Sequence, residues 1–298
     1  MSRGTRRGLA ALVAAAALLA ALGTVFTMTR SSAAPAPATP TTASAAVGGA
    51  KVECTSKKPG LAPELSRDIA HALHGRQGAA ALAVYDRDTG TTCDYQAGTA
   101  FDSASVVKVT VLGALLRQAD EAHRKLTPKE VELTTAMITK SDNDATSALW
   151  RQIGEDGIKR FLSLAGMRHT VPGADGAWGL TQVTASDELK LMELLTRKNT
   201  VLSAHARGYA LDLMERVAPD QRWGTPAGVP GGTTTHVKNG WLPRENNGWR
   251  VHSVGAFTGG GNDYGMAVLS QGNRTMDYGV DTVEEAAEVI HRDLAEAG

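Results

Sequence analysis

The 298-residue chain has no excess of either charge: 31 Lys and Arg face 31 Asp and Glu. That balance argues against nucleic-acid binding through a basic face. Only two cysteines are present, with no metal-ligand spacing, and the eight histidines are scattered without an H-E-x-x-H pair. No metal and no other cofactor is expected. There is no G-x-S-x-G elbow, no Walker loop and no dinucleotide fingerprint, which argues against an α/β-hydrolase and against nucleotide chemistry. A polytopic membrane protein is excluded, because long apolar runs are missing beyond the first 30 residues. What remains, 42% apolar and 21% charged, has ordinary globular composition and is long enough to bury a real core.

The first 50 residues lack acids altogether but hold Arg3, Arg6, Arg7 and Arg30, leaving 27 basic against 31 acidic residues behind them. Residues 8–28 are uncharged and rich in Ala, Leu and Val. A basic start followed by an apolar run is an export leader: residues 1–30 read as a signal peptide or as an uncleaved membrane anchor. Candidate small-residue cleavage sites are Ser32-Ala33-Ala34 and Ala43-Ser44-Ala45, and the Arg6-Arg7 pair is compatible with twin-arginine export. Either way the body is exported, secreted or held on the outer face of the cytoplasmic membrane. Residues 31–50 are almost wholly small and Pro-rich, an expected extended linker, so the folded body is expected over 51–298. In an oxidising compartment Cys54 and Cys93 are expected to pair, two separate buried thiols being the alternative.

Apolar spacing predicts a helix over 61–76 and a hairpin over 79–85 and 91–95. Helices follow near 105–119, 128–138, 144–152, 154–164, 184–196 and 203–217. Strands return at 236–241, 249–257 and 264–271, before a closing helix over 280–297. The fold class is α+β: one antiparallel sheet from the two chain ends, 51–100 and 218–298, flanked by helices and joined to an inserted all-helical subdomain over 101–217. A site is expected in the cleft between the two. A monomer is expected.

Ser105 and Lys108 lie three apart at the start of an apolar helix, which puts both on one face. A serine becomes a nucleophile with a base beside it, and a helix-starting Ser105 aims its own N–H at incoming negative charge. The triplet Ser141-Asp142-Asn143 falls at a break between two predicted helices, and Lys238-Asn239-Gly240 on the first strand after the helical region.

The order S-x-x-K, S-D-N, K-x-G over residues 60–298 resembles the class A β-lactamases and the penicillin-recognising serine hydrolases around them. The resemblance implies that Ser105 is the acylated nucleophile and Lys108 its proton-relaying amine. It implies Ser141 as the shuttle to the leaving nitrogen, Asn143 as a ligand for a substrate carbonyl and Lys238 as the attraction for a substrate carboxylate. Asp142 holds the turn. Asn239, Gly240 and Trp241 line the substrate strand, and the Trp241 N–H joins that of Ser105 in an oxyanion hole. Arg250 is the favoured guanidinium for the substrate carboxylate, ahead of Arg244 and Arg222.

Three departures stand out. The 36-residue interval from Ser105 to Ser141 is short for the family, and Asn239 replaces a hydroxyl residue. The E-x-x-L-N loop is missing: residues 166–185 hold a single acid, Asp175, and no glutamate. Asp175 is thus the available candidate for a deacylating base, and slow deacylation is expected. The substrate is a small β-lactam or a D-alanine-terminated peptide. A β-lactamase-type hydrolase leads, followed by a D-alanyl-D-alanine carboxypeptidase and by a binding protein with a lasting acyl adduct.

Overall fold

The computed structural model describes residues 39–298. The leader over 1–30, the Arg6-Arg7 pair and the Ser32-Ala33-Ala34 site lie outside them. In chain order the elements are β1 (Thr41–Val47), β2 (Ala50–Ser56), α1 (Leu61–Leu73), β3 (Ala79–Asp86), β4 (Thr91–Tyr95) and β5 (Phe101–Asp102). Then come α2 (Val107–Glu121), α3 (Pro128–Thr139), α4 (Asn143–Leu164), β6 (Gln182–Val183), α5 (Ala185–Thr196) and α6 (Ala204–Glu215). The chain closes with β7 (Thr234–Arg244), β8 (Gly248–Gly259), β9 (Asn262–Asn273) and α7 (Met276–Ala297).

Seven strands form one antiparallel sheet in the order β1-β2-β4-β3-β9-β8-β7. The two chain ends meet at β3 and β9, where Ala79 pairs with Gln271 and Asp86 with Tyr264. Both faces are covered, so β3 reads as a continuous apolar run rather than an alternating one. Leu82 and Val84 pack with Leu65 and Ile69 of α1 and Val283 and Ile290 of α7. Ala81, Ala83 and Tyr85 face the opposite way, into a core with α2 to α6. α2 is apolar nearly all round and is buried accordingly.

The expected linker is corrected at its C-terminal end. Residues 41–47 form β1, paired with β2 from Thr41↔Ser56 to Val47↔Ala50, so the folded body begins ten residues before Lys51. An edge strand needs little apolar surface, since backbone pairing and the packing of Ala43 and Ala45 suffice. Gly48 (φ 56°) and Gly49 supply the two-residue hairpin turn, a signal masked by the low-complexity composition. The Ala43-Ser44-Ala45 cleavage candidate is inside this strand. α7 begins at Met276, four residues earlier than expected, because the Thr275 side chain caps it by accepting from the Tyr278 N–H.

Cys54 and Cys93 form a disulfide, as expected, between residues directly opposite each other on β2 and β4. It pins the edge hairpin to the sheet. Among the described residues no helix is long and apolar enough to cross a membrane.

In the first turn of α5, Glu188 is fully buried and neither carboxyl oxygen has a hydrogen-bond partner. Burial, reinforced by the neighbouring Asp187, pushes its pKa from an ordinary 4.5 to about 8. The folded state therefore holds the proton more tightly than the unfolded one. Stability contributed by the neutral form is complete below pH 4.5 and is lost as pH rises toward 8, by up to about 1.4 kcal/mol per unit. Glu188→Gln removes this dependence: in urea unfolding, its advantage over the wild type is small at pH 5 and grows toward pH 8. An equal difference at both pH values would refute the buried neutral carboxyl.

Candidate functional site

Ser105 sits in a short turn, Ala104–Val106, between β5 and α2. Ala104, a buried non-glycine residue, is held at φ 46°, a strained left-handed conformation. The surroundings impose it: Ser103 N–H donates to Thr181 O at 2.8 Å and Ser103 Oγ to Trp178 O at 3.3 Å. Before the turn, the buried His252 grips the backbone. Burial lowers its pKa to about 4, so the ring is neutral, with Nε2–H donating to Asp102 O (2.8 Å) and Nδ1 accepting from Ser270 N–H (3.2 Å). His252 gave no sequence signal, since a lone strand histidine reads as core. Ser105 itself is half-buried.

Lys108, the second residue of α2, is 0% exposed. Its ammonium donates to Ser141 O (2.6 Å), Ser141 Oγ (3.0 Å) and Asn143 Oδ1 (2.8 Å), which uses all three protons. The Trp178 ring lies 5.0 Å away. Burial lowers the Lys108 pKa to about 8, against a small opposing pull from Asp142. Among the described residues no hydrogen bond joins Lys108 to Ser105.

Ser141 occupies the break between α3 and α4 at φ 56°. Asp142 caps α4, its Oδ1 accepting from Ala145 N–H at 2.7 Å, and this turns Ser141 and Asn143 toward Lys108. From the opposite wall Lys238 on β7, also fully buried, donates to Ser141 Oγ (3.0 Å) and to Asn239 O (2.7 Å). Burial, followed by the charge of Lys108, pushes its pKa well down. One hydroxyl thus lies between two amines.

Gly240 explains how β7 comes so close. A Cβ there would stand 2.8 Å from Ser105 N and 2.9 Å from Val106 N. β7 is the edge strand at the opposite end of the sheet from β1, and its backbone at Gly240 lies beside the Ser105 N–H.

Several expected site residues are placed differently. Asn239 points away from the cleft: its Nδ2 donates to Gln221 O (2.9 Å) and Trp223 O (2.8 Å), and its Oδ1 is buried without a partner. Strand alternation decides this, since neighbours of Lys238 and Gly240 face the other side. Its amide is therefore not available to a substrate carboxylate. The half-buried Trp241 has its indole tilted against Trp223, centroids 6.0 Å apart. Arg250 is buried against Asp102, Nε to Oδ2 at 3.3 Å, and donates to Asn247 O; a carboxylate of the chain itself occupies it. Arg244 approaches the same carboxylate at 3.6 Å, and Arg222 donates to Glu215 O on the far side. Asp175 is exposed, at φ 52° in a turn of the loop that carries Trp178. Where a glutamate was expected to be missing, that loop presents an indole to Lys108.

The sequence model of the β-lactamase enzyme family matches residues 64–134 and 129–294. The chain belongs to that family. Its fold is that of PBP-A, with a TM-score of 0.68 at 20% identity over 78% of this chain and 96% of that one. A class A β-lactamase from Bacteroides cellulosilyticus gives 0.68 at 16% identity, over 78% and 98%. A PBP-A variant solved as an acyl-enzyme complex with penicillin G gives 0.66 at 19%, over 78% and 96%. The protein LppW of Mycobacterium tuberculosis, named as a candidate lipoprotein, is 25% identical over 189 residues. That match spans 59% of this chain and 58% of LppW.

The Gly240 contact yields a direct test. Gly240→Ala drives a methyl into the Ser105 backbone, which cannot retreat without disturbing Ala104. A loss of about 1–3 kcal/mol in unfolding free energy is expected; an unchanged melting curve would show that β7 is free to move away from Ser105.

Proposed function

We propose that the chain is an exported serine hydrolase of the class A β-lactamase type in which Ser105 is acylated by a β-lactam amide and the ester is released slowly. The observation that carries this reading is the Ser141 hydroxyl shared by Lys108 and Lys238 at 3.0 Å each, with Lys108 three residues after Ser105. With both amines saturating its oxygen, the Ser141 proton is free to point into the cleft.

Neutral Lys108 takes the proton from Ser105 Oγ as that oxygen bonds to the lactam carbonyl carbon. The carbonyl oxygen becomes an oxyanion facing the Ser105 and Trp241 N–H groups. When the C–N bond breaks, Ser141 gives its proton to the leaving nitrogen and regains one from Lys108, so the relay closes with no net proton lost. Asn143 and Lys238 hold the substrate carbonyl and carboxylate. Breaking the ester requires a water activated on its open face, where no glutamate stands and Trp178 covers Lys108. Asp175, exposed in the same loop, is the remaining candidate base. The acyl-enzyme captured for a PBP-A variant supports acylation on this fold. The Trp178 cover favours a second reading, a β-lactam or muropeptide-binding protein with a lasting adduct; D-alanyl-D-alanine carboxypeptidase activity is the alternative hydrolysis. The basic, apolar leader supports export, and the relationship to LppW is consistent with attachment at the outer membrane-water face.

Intact-mass spectrometry over time after adding benzylpenicillin tests the reading. A single adduct is expected in the wild type and none in Ser105→Ala, with decay over many minutes; absence of an adduct across a broad β-lactam panel would overturn it. The acylation rate should rise with pH and level off above about 8, because Lys108 works only when deprotonated. Ser141→Ala should slow acylation by about a hundredfold. Free D-alanine from a D-Ala-D-Ala peptide would identify the carboxypeptidase.

A further inference from the structure

The charges at the far end of β7 are not used by the acylation steps. Asp102, three residues before Ser105, is approached by two guanidiniums. Arg250 lies 3.3 Å from Oδ2 with its side chain only 9% exposed, and Gln182 Nε2 donates to Oδ1 at 2.8 Å. Arg244 Nε stands 3.6 Å from Oδ2, beyond hydrogen-bonding distance, and its side chain is 41% exposed. The single negative charge is already opposed by buried Arg250. Glu245, the next residue, is at the hairpin turn and forms no ion pair with Arg244 among the described residues. Arg244 is thus the outer, exposed guanidinium of the two that flank Asp102, the more loosely held of the pair.

Its place along the strand gives the charge a meaning. Lys238, Gly240 and Arg244 alternate onto one face of β7, and each touches a different part of the opposite wall: Ser141, the Ser105 backbone and Asp102. If the scissile carbonyl lies beside Ser105 and its leaving nitrogen faces Ser141, the acyl group must run the other way, toward Arg244. Trp241 to Arg244 spans about 10 Å of strand, a gap bridged by a long arginine stem and a short acyl side chain.

We propose that Arg244 is a specificity-determining residue that recognises an anionic group on the acyl side of the substrate. The inference rests on the acylation reading above and adds the substrate class: acyl donors carrying a carboxylate close to the scissile carbonyl. Benzylpenicillin and carbenicillin form a matched pair of probes, because they differ by one carboxylate on the acyl side chain.

The measurement is the second-order rate of Ser105 acylation by each penicillin, expressed as the ratio carbenicillin over benzylpenicillin. In Arg244→Gln the ratio should fall about five- to tenfold, and in Arg244→Lys most of it should be retained. In the wild type the ratio should decline as salt is raised to about 0.5 M, since the cation is solvent-exposed. A ratio unchanged in Arg244→Gln and insensitive to salt, with adducts forming normally, overturns this proposal alone. Failure of both penicillins to acylate the wild type overturns the acylation reading and this proposal with it.

Discussion

The burial of two like charges on either side of one hydroxyl is the constraint on which the site depends. Lys108 and Lys238 are both removed from water, and each loses hydration that only fixed acceptors can replace. Those acceptors are Ser141 Oγ for both, Ser141 O and Asn143 Oδ1 for Lys108, and Asn239 O for Lys238. The left-handed turn at Ser141 and the Asp142 cap on α4 follow from that need. So does the position of β7, which must bring Lys238 across from residues 97 positions earlier in the chain.

A second set of contacts fixes the serine. The neutral His252 ring ties the carbonyl of Asp102 to the sheet, Ala104 is held in a strained conformation, and Gly240 leaves room for β7 to lie against the turn. Together they turn a seam between sheet and helices into a cleft whose walls bear Lys108, Lys238 and Arg244. Cations in such a low-dielectric wall act strongly on nearby charge.

Much of this was legible in the chain. The periodicities located the helices and the five strands β3, β4, β7, β8 and β9, whereas β2 and the two-residue strands β5 and β6 carried no readable pattern. Ser105, Lys108, Ser141, Asn143 and Lys238 were singled out by motif, since a local spacing on a helix start, a helix break and a strand carries that information, and the last four are joined by hydrogen bonds. The hairpin strand at 41–47 was concealed by residues that resemble a tether: an edge strand is stabilised by backbone pairing, which composition does not record. Asn239 and Arg250 were misplaced for a different reason. Whether a polar side chain on a strand meets substrate or its own protein depends on neighbours distant in sequence, here Gln221, Trp223 and Asp102.

By itself, then, the sequence determined the helices and the central strands, the polar groups carried by its three motifs and the lack of a loop glutamate, because these are properties of local pattern and composition. Only the tertiary structure decided that two lysines share one hydroxyl, that Trp178 covers one of them, that His252 is a neutral clamp and that Glu188 is buried unpaired. Those facts depend on desolvation, and desolvation arises only when segments far apart in the chain exclude water from one another.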